Sequence, residues 1–306
     1  MERFLPLIQL LYPGAELKTC KALTGGVSAI VHRLDLMLAN QEIHKIVIRE
    51  QGATHSGHPA ATEFALLKAL AGTGLPVPEP LYFDEHKRLL PHDFLVLTYI
   101  EGSTEIPQPM ARTSIELAAN CLRTIHQTPT QNLPNLPARN HPLPEAFDYW
   151  PLGEEWLALK TYLKTLDQAK FIEAPVLLHG DFWPENLIWR DHGLVGILDW
   201  EDAALGDPLS DLAVARLEFR YRYGSPGAAN FTTIYVNNNP IEWRRLALWQ
   251  IYVAAAAQHF MADWGLSQNR ESHMRAEALK SIQEAGNALM RNEPSFLGLS
   301  SKWRLV

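Results

Sequence analysis

The spacing of apolar and polar residues predicts that the first part of the chain is built on strands. Alternation with a period of two is typical of a half-buried strand, whereas apolar residues three or four positions apart indicate a helix. These patterns predict helices over residues 1–13 and 59–72, a strand–turn–strand over 22–38 with its turn at 24–28, and strands over 43–50, 80–84 and 94–99. We therefore expect a small antiparallel sheet that carries a helix.

Helical spacing dominates after residue 102. The predicted helices cover residues 113–127, 154–166, 212–221, 240–264 and 273–291, with a hairpin over 187–198. Residues 132–151, rich in proline and asparagine, are predicted to be a long connection, and residues 219–239, crowded with Tyr, Arg, Gly and Asn, a mobile loop. We interpret the chain as two domains, 1–101 and 102–306, of which the second is mainly helical.

Composition narrows the class of protein. The chain has 306 residues, of which 47% are hydrophobic and 20% charged, so it is a globular chain long enough for two lobes. A net charge of −7 argues against a nucleic-acid or membrane-surface partner and is compatible with a cationic substrate. Cys20 and Cys121 are the only cysteines, which favours a reducing cytoplasm and disfavours a cysteine zinc site. No apolar run approaches the length that spans a bilayer.

The chemistry is concentrated between residues 179 and 211. Two short apolar runs flank the turn Asp-His-Gly at 191–193 and predict a hairpin, with Asn186 entering it and Asp199 leaving it at the same open end. Asp181 lies just upstream. Carboxylate and amide oxygens suit Mg²⁺, which usually links one or two protein carboxylates to nucleotide phosphates. The remaining carboxylate suits a general base.

The motifs HGDFWPEN, ILDW and GDPLSDLA in this stretch resemble the signature of the aminoglycoside phosphotransferase family, which is similar to choline and homoserine kinases and distantly to protein kinases. The resemblance implies a two-lobed, protein-kinase-like α+β fold, with a small antiparallel sheet in the N-terminal lobe and a larger, mainly helical C-terminal lobe. It also implies that Asp181 is the catalytic base, that Asn186 and Asp199 bind Mg²⁺, and that His179 supports the loop. It extends over nearly the whole chain, but its motifs are specific only from 179 to 211.

A phosphate site is predicted in the N-terminal lobe. Gly25 and Gly26 would let the backbone of their turn approach phosphate oxygens, and Ser28 offers a hydroxyl donor; the alternative is a plain hairpin turn. By resemblance, Arg49 occupies the position of the lysine that binds phosphate in kinases, and Lys45, on the same strand face, is its rival.

Two further nucleotide contacts follow from the resemblance. Glu63 would pair with the strand cation, the alternative being an exposed acid that favours the start of its helix. The backbone of Thr98, Tyr99 and Ile100 would form the hinge that binds adenine.

The predicted function is ATP- and Mg²⁺-dependent transfer of a γ-phosphoryl group to a small-molecule hydroxyl. Aminoglycosides, amino alcohols, sugars and homoserine-like acceptors stay open, and protein acceptors are disfavoured because no activation segment ending in APE follows the metal-binding motif. Glu201 and Asp202 are candidates for an acidic acceptor pocket, whereas Asp207 and Asp211 are predicted to cap the helix beginning near residue 208. The alternatives are an inactive nucleotide-binding scaffold and a metal-dependent hydrolase using Asp181.

Overall fold

A computed structural model describes residues 2–23, 29–52, 55, 57–105, 111–142, 147–150, 153–166, 173–237 and 241–298. The predicted phosphate-binding turn residues Gly25, Gly26 and Ser28 lie outside the described residues. The helices are α1 (Leu5–Leu11), α2 (Ala60–Leu70), α3 (Ala111–His126), α4 (Leu157–Leu163), α5 (Pro208–Val236), α6 (Trp243–Phe260) and α7 (Gln268–Arg291). The strands are β1 (Glu16–Leu23), β2 (Ala29–Met37), β3 (Ile43–Gln51), β4 (Pro80–Asp84), β5 (Phe94–Thr98), β6 (Ala138–Arg139), β7 (Val176–Leu178), β8 (Leu187–Arg190), β9 (Gly193–Ile197) and β10 (Ala204–Gly206).

Backbone contacts divide the chain into two compact units. The first, here named the sheet unit, contains Met1–Glu105, Gln131–Asn135 and Leu187–Asp202. The second, the helical unit, contains Ile106–Thr130, Leu136–Asn186 and Ala203–Val306. The units do not follow one cut in the chain, since the β8–β9 hairpin groups with the sheet unit. The domain boundary between 101 and 102 stays a prediction.

The sheet unit contains a five-stranded sheet in the order β1-β2-β3-β5-β4, with all neighbouring strands antiparallel. Strand β3 lies at its centre, and its register places Arg49 opposite Leu95 of β5. Apolar side chains of α1, β2, β3 and β5 form one buried core, which includes Ile46 and Ile48 of β3. The antiparallel sheet predicted from the alternation is confirmed.

Helix α2 and the β8–β9 hairpin complete the sheet unit. Helix α2 buries Leu66, Leu67 and Leu70 together with one acid, Glu63. The hairpin is attached to the chain beyond β5 through a bridge that pairs Ser103 with Trp189. Gly102, just before that bridge, has a φ of 150°, and a Cβ there would lie 2.6 Å from the Trp189 carbonyl oxygen. This close backbone approach therefore requires glycine.

Helices α3, α5, α6 and α7 dominate the helical unit, with a three-stranded sheet in the order β6-β10-β7. The mobile loop predicted for residues 219–239 is wrong up to Val236, because α5 continues through it and is interrupted only at Gly224, where φ is 68°. The buried rings of Phe219 and Phe231, 4.7 Å apart, hold the two halves of α5 together. Within the described residues, no helix combines the length and the apolar character that crossing a bilayer requires.

Candidate functional site

The loop that joins β7 to the short 3₁₀ helix Pro184–Asn186 holds the predicted base. Asn186 is buried, and its side-chain nitrogen Nδ2 donates to the Asp181 carbonyl oxygen at 3.0 Å and to Asp181 Oδ2 at 3.1 Å. Asp181 itself is half-buried. The amide nitrogen of Asn186 thus orients the Asp181 carboxylate, and the other amide atom, its oxygen, is of the type that coordinates hard cations.

Asp211 of α5 anchors this loop through hydrogen bonds to its backbone. Its carboxylate is fully buried and accepts hydrogen bonds from the backbone N–H groups of His179 (2.7 Å) and Gly180 (3.0 Å). The Nε2 atom of His126 lies 3.2 Å from the same carboxylate. Burial acts to raise the pKa of Asp211, but the His126 hydrogen bond and the charges of His126, His179 and Arg139 outweigh it, so its pKa is lowered. The predicted helix cap is wrong for Asp211, since its carboxylate instead fixes the backbone before Asp181.

Asp207 fulfils the cap prediction. Its Oδ1 accepts the backbone N–H of Leu209 at 3.0 Å at the start of α5, which begins at Pro208 as predicted. Its Oδ2 accepts from Arg245 Nε at 2.8 Å and Trp249 Nε1 at 2.7 Å. The cap therefore also connects α5 to α6.

His179 is fully buried and serves the structural role expected of it. The Nδ1 atom of His179 lies 3.3 Å from the backbone nitrogen of Asp181, and its ring meets Phe182 edge-on at 5.7 Å. Arg139 adds a hydrogen bond of 3.1 Å to the Gly180 carbonyl oxygen. The loop backbone is therefore held from several sides, which preorganises the Asp181 side chain.

Arg49 is the centre of a second charged group, in the sheet unit. Its NH1 atom donates to Glu63 Oε2 at 2.9 Å, and its NH2 atom donates to Asp199 Oδ1 at 2.8 Å and to Glu201 Oε2. The Glu63 side chain is 2% exposed and that of Arg49 8%. These carboxylates raise the pKa of Arg49 although burial opposes the charged form. The predicted pairing of the strand cation with Glu63 is thus present in the structure.

Asp199 has an unusual backbone and environment. Its φ is +63°, in the left-handed region that aspartate tolerates better than most residues. Burial raises its pKa to about 7, with Arg49 opposing and Glu201, Glu63 and Asp202 adding to the rise. Its side chain keeps 27% exposure. A partly exposed carboxylate surrounded by more negative than positive side chains is chemically suited to a divalent cation.

Lys45, the rival to Arg49, is engaged elsewhere. Its Nζ atom pairs with Glu101, just beyond β5, and its backbone oxygen accepts the N–H of Tyr99 at 3.2 Å. The N–H of Thr98 donates to the Glu79 carbonyl oxygen at 2.9 Å. Of the three predicted hinge residues, two already use their N–H groups within the protein. In the described residues, no hydrogen bond of the Ile100 backbone occurs.

The helical unit contains a cavity beside the Asp181 loop. It measures about 230 Å³ and is lined by Pro184 and Glu185 from the loop and by residues of α5 and α7, Glu218 and Tyr221 among them. Glu185 is paired with Arg270 at 2.9 Å, whereas no ion pair of Glu218 occurs in the described part of the chain. Burial raises the pKa of Glu218 well above its usual range, and Asp181 and Glu185 raise it further.

Sequence reasoning missed four of these contributions. The loop-anchoring role of Asp211 and the cavity carboxylate Glu218 depend on how α5 packs, which the helical spacing of this segment does not show. Glu201, expected in an acceptor pocket, instead contacts Arg49, although its position two residues after Asp199 marked it as a neighbour of the site. No local pattern distinguishes Arg139 from an ordinary surface arginine.

The chain is similar to several known proteins. Residues 44–249 match the model of the phosphotransferase enzyme family. A mouse protein, acyl-CoA dehydrogenase family member 10, is 29% identical over 184 residues, which are 54% of this chain and 17% of that protein. An aminoglycoside 3′-phosphotransferase from Niallia circulans is 28% identical over 163 residues, 49% of this chain and 61% of the relative. The chain therefore spans less than two thirds of these relatives.

Solved structures of similar fold include kinases of small molecules. The GDP complex of a mutant aminoglycoside 2′-phosphotransferase-IIIa superposes with a TM-score of 0.65 at 17% identity, covering 95% of this chain and 99% of that one. Choline kinase LicA from Streptococcus pneumoniae gives a TM-score of 0.65 at 19% identity, covering 91% and 96%. At such identities the matches establish the fold alone. They confirm the predicted two-lobed, kinase-like α+β fold.

Proposed function

Since the chain belongs to the phosphotransferase enzyme family, we propose that it transfers the γ-phosphoryl group of ATP to a hydroxyl group of a small molecule. The observation that carries this proposal is the Asp181–Asn186 pair, in which an asparagine five residues downstream orients a carboxylate on a loop fixed by Asp211. In the reaction, the bond between the γ-phosphorus and the bridging oxygen breaks as the acceptor oxygen bonds to phosphorus, and ADP leaves.

Asp181 is the proposed general base. Its carboxylate accepts the proton of the acceptor hydroxyl while that oxygen attacks, and the hydrogen bond from Asn186 keeps it in one orientation. Because the loop backbone is held by Asp211 and Arg139, little reorganisation is needed when the acceptor arrives. The contribution expected of such a base is about 10²–10⁴-fold in rate.

Asn186 and Asp199 are the proposed ligands of Mg²⁺. The donor set fits this ion, since an amide oxygen and a carboxylate are hard ligands and Mg²⁺ takes its other ligands from water and phosphate. When bound, Mg²⁺ neutralises negative charge on the phosphates. The role of Asn186 is thus double, because its nitrogen orients Asp181 and its oxygen is left for the cation.

Arg49 is the proposed phosphate contact, in preference to Lys45. The carboxylate of Glu63 holds one end of the guanidinium at 2.9 Å, and Lys45 is paired at the far end of the same strand with Glu101. A guanidinium has five N–H donors, so those beyond the three bonds to Glu63, Asp199 and Glu201 are available to phosphate oxygens. Thr98, Tyr99 and Ile100 remain the proposed hinge for the adenine base, with the Ile100 backbone as the main contact.

The acceptor is proposed to enter the cavity lined by Glu185 and Glu218. An amine on the acceptor would find the Glu218 carboxyl there without displacing an existing ion pair, since the Glu185 carboxylate is already taken by Arg270. Hydroxyl compounds that carry an ammonium group are therefore favoured over uncharged sugars.

The test is Mg²⁺-dependent ADP release from ATP across a panel of aminoglycosides, amino alcohols, sugars and homoserine. We expect turnover with an amine-bearing acceptor, and a loss of at least about 100-fold in Asp181→Asn. Asp191→Asn, the same change at an exposed turn, is the matched control and should retain full activity. Nucleotide binding without turnover of any acceptor would favour the inactive scaffold. Steady ATP-independent ester hydrolysis would favour the metal-dependent hydrolase.

A further inference from the structure

The charges around Arg49 do not balance. One guanidinium faces three carboxylates, those of Glu63, Asp199 and Glu201, all within the sheet unit. Glu63 occupies the NH1 end, while Asp199 and Glu201 share the NH2 end. Two of these contacts belong to the proposed transfer, since Glu63 pairs with Arg49 and Asp199 is a proposed Mg²⁺ ligand. Neither the proposed general base nor the proposed magnesium and phosphate contacts include Glu201, whose side chain is 11% exposed.

Glu201 is itself fixed by the segment between β3 and α2. Its backbone oxygen accepts the N–H of His58 at 2.8 Å, and its Oε2 atom lies 3.1 Å from His55 Nδ1. Gly57 packs so tightly against it that a Cβ there would lie 2.6 Å from Glu201 Cβ and 2.7 Å from the Glu201 oxygen. Side chain and backbone are therefore both held, and the carboxylate cannot easily leave Arg49.

We propose that Glu201 is a positioning residue for phosphoryl transfer, which holds the NH2 end of Arg49 beside Asp199 so that the guanidinium meets the nucleotide phosphates in one orientation. This inference rests on the proposed function, because it concerns the same transfer. It adds a residue that acts through Arg49 and that touches neither the acceptor nor the transferred group.

The arginine at position 49 makes such a residue necessary. A lysine would offer one nitrogen to Glu63 and the phosphates, whereas the guanidinium has two separate ends that must both be oriented. With NH1 fixed by Glu63, the plane of the guanidinium is set only when NH2 is held as well. Asp199 keeps 27% exposure, and a cation bound to it would weaken its hold on Arg49, which leaves Glu201 as the permanent partner.

The proposal is tested by a double-mutant cycle between Glu201→Gln and Arg49→Lys. We expect Glu201→Gln to lower kcat about tenfold, with KM for ATP changed less than about twofold, because the phosphates still bind but the guanidinium is misoriented. In the Arg49→Lys background the same change should cost less than about twofold in kcat. Glu16→Gln, an exposed glutamate of the sheet unit with 69% side-chain exposure, is the matched control and should have no effect.

A second readout does not depend on turnover. Urea unfolding of the four proteins without nucleotide should show that Glu201→Gln shifts the midpoint less in the Arg49→Lys background than in the wild type. If wild-type protein turns over no acceptor, the proposed function fails, and this unfolding cycle still decides whether Glu201 holds Arg49. If circular dichroism shows that the Glu201→Gln protein does not fold, Gly57→Ala replaces Glu201→Gln in both cycles. The added Cβ at position 57 displaces Glu201 from the other side.

Three outcomes would overturn the proposal. Losses in kcat that simply multiply in the double variant would mean that Glu201 does not act through Arg49. Recovery of the Glu201→Gln activity at high Mg²⁺ would mean that Glu201 acts on the cation. Unchanged kcat in a folded Glu201→Gln protein would mean that the contact has no part in the transfer.

Discussion

Replacement of Asp211 by asparagine isolates the contribution of one buried carboxylate to the loop that carries Asp181. The two side chains have the same shape, so no cavity forms. In wild type the carboxylate accepts from the His179 N–H, the Gly180 N–H and His126 Nε2, at 2.7, 3.0 and 3.2 Å. Asparagine supplies one accepting oxygen and presents an NH₂ group to at least one donor. At least one backbone N–H then lies buried without an acceptor.

The expected cost can be worked from these contacts. A hydrogen bond to a charged group contributes about 1.5–3 kcal/mol, and two of the three are lost or weakened, so the free energy of unfolding should fall by about 3–6 kcal/mol. The lowered pKa of Asp211 sets the pH dependence. Its stabilising contribution is complete above the unfolded value of about 3.9 and disappears as the pH falls through the lower folded value.

Urea unfolding at pH 7 and at successively lower pH, followed by circular dichroism, measures this difference. Asp191→Asn at the exposed β8–β9 turn is the control and should change the free energy of unfolding by less than about 0.5 kcal/mol. The wild-type advantage over Asp211→Asn should be constant from about pH 5 to 8 and shrink below about pH 4. A loss under about 1 kcal/mol at pH 7, or a difference independent of acid, would refute the anchoring role of Asp211.

Three further predictions concern other groups. Glu218→Gln should raise the thermal unfolding midpoint at pH 8 but not at pH 4. The pKa of Glu218 is raised in the folded protein, so its ionisation at high pH destabilises that state. An equal change of the midpoint at both pH values would contradict this prediction. Gly206→Ala should lower stability by about 1–3 kcal/mol, since its Cβ would overlap the Arg139 carbonyl oxygen, whereas Gly72→Ala, with nothing within 4 Å, should be neutral by the same melting assay. Cys121, whose pKa burial raises to about 12, should react with a thiol reagent at pH 8 only slowly before urea unfolding and fully afterwards.

Strands β3, β4 and β5 could be predicted from the sequence because their signals are local, whereas β1 begins at Glu16, six residues before the predicted strand. Strand β4 occupies Pro80–Asp84 as predicted, and β3 and β5 differ from their predictions by one residue at an end. Their alternation reflects which face is buried, and neighbouring residues suffice to record it. Asp181 and Asn186 could also be singled out as candidate site residues from their motif, but the hydrogen bond between their side chains is visible only in the structure.

The second half of α5 was not predictable in the same way. Gly224 and Pro226 are helix breakers by local preference, yet the helix resumes after Gly224 because Phe231 packs on Phe219. A tertiary contact thus overrides the local preference. The roles of Asp211 and Glu218, in the first half of α5, were not predictable either, because both depend on which direction α5 faces once it is packed.

The choice between Lys45 and Arg49 shows where sequence reasoning ends at the site itself. Both side chains lie on one face of β3, four residues apart, so the strand period gives them equal standing. The two cations differ in the acids around them. Glu63 and Glu201 contact Arg49 at one end of the strand, and Glu201 is 152 residues away in the chain. Glu101 contacts Lys45 at the other end. A cation among several buried carboxylates is fixed in place, whereas an exposed pair contributes little. The proposal of Arg49 as the phosphate contact therefore rests on burial and charge, which only the folded chain supplies.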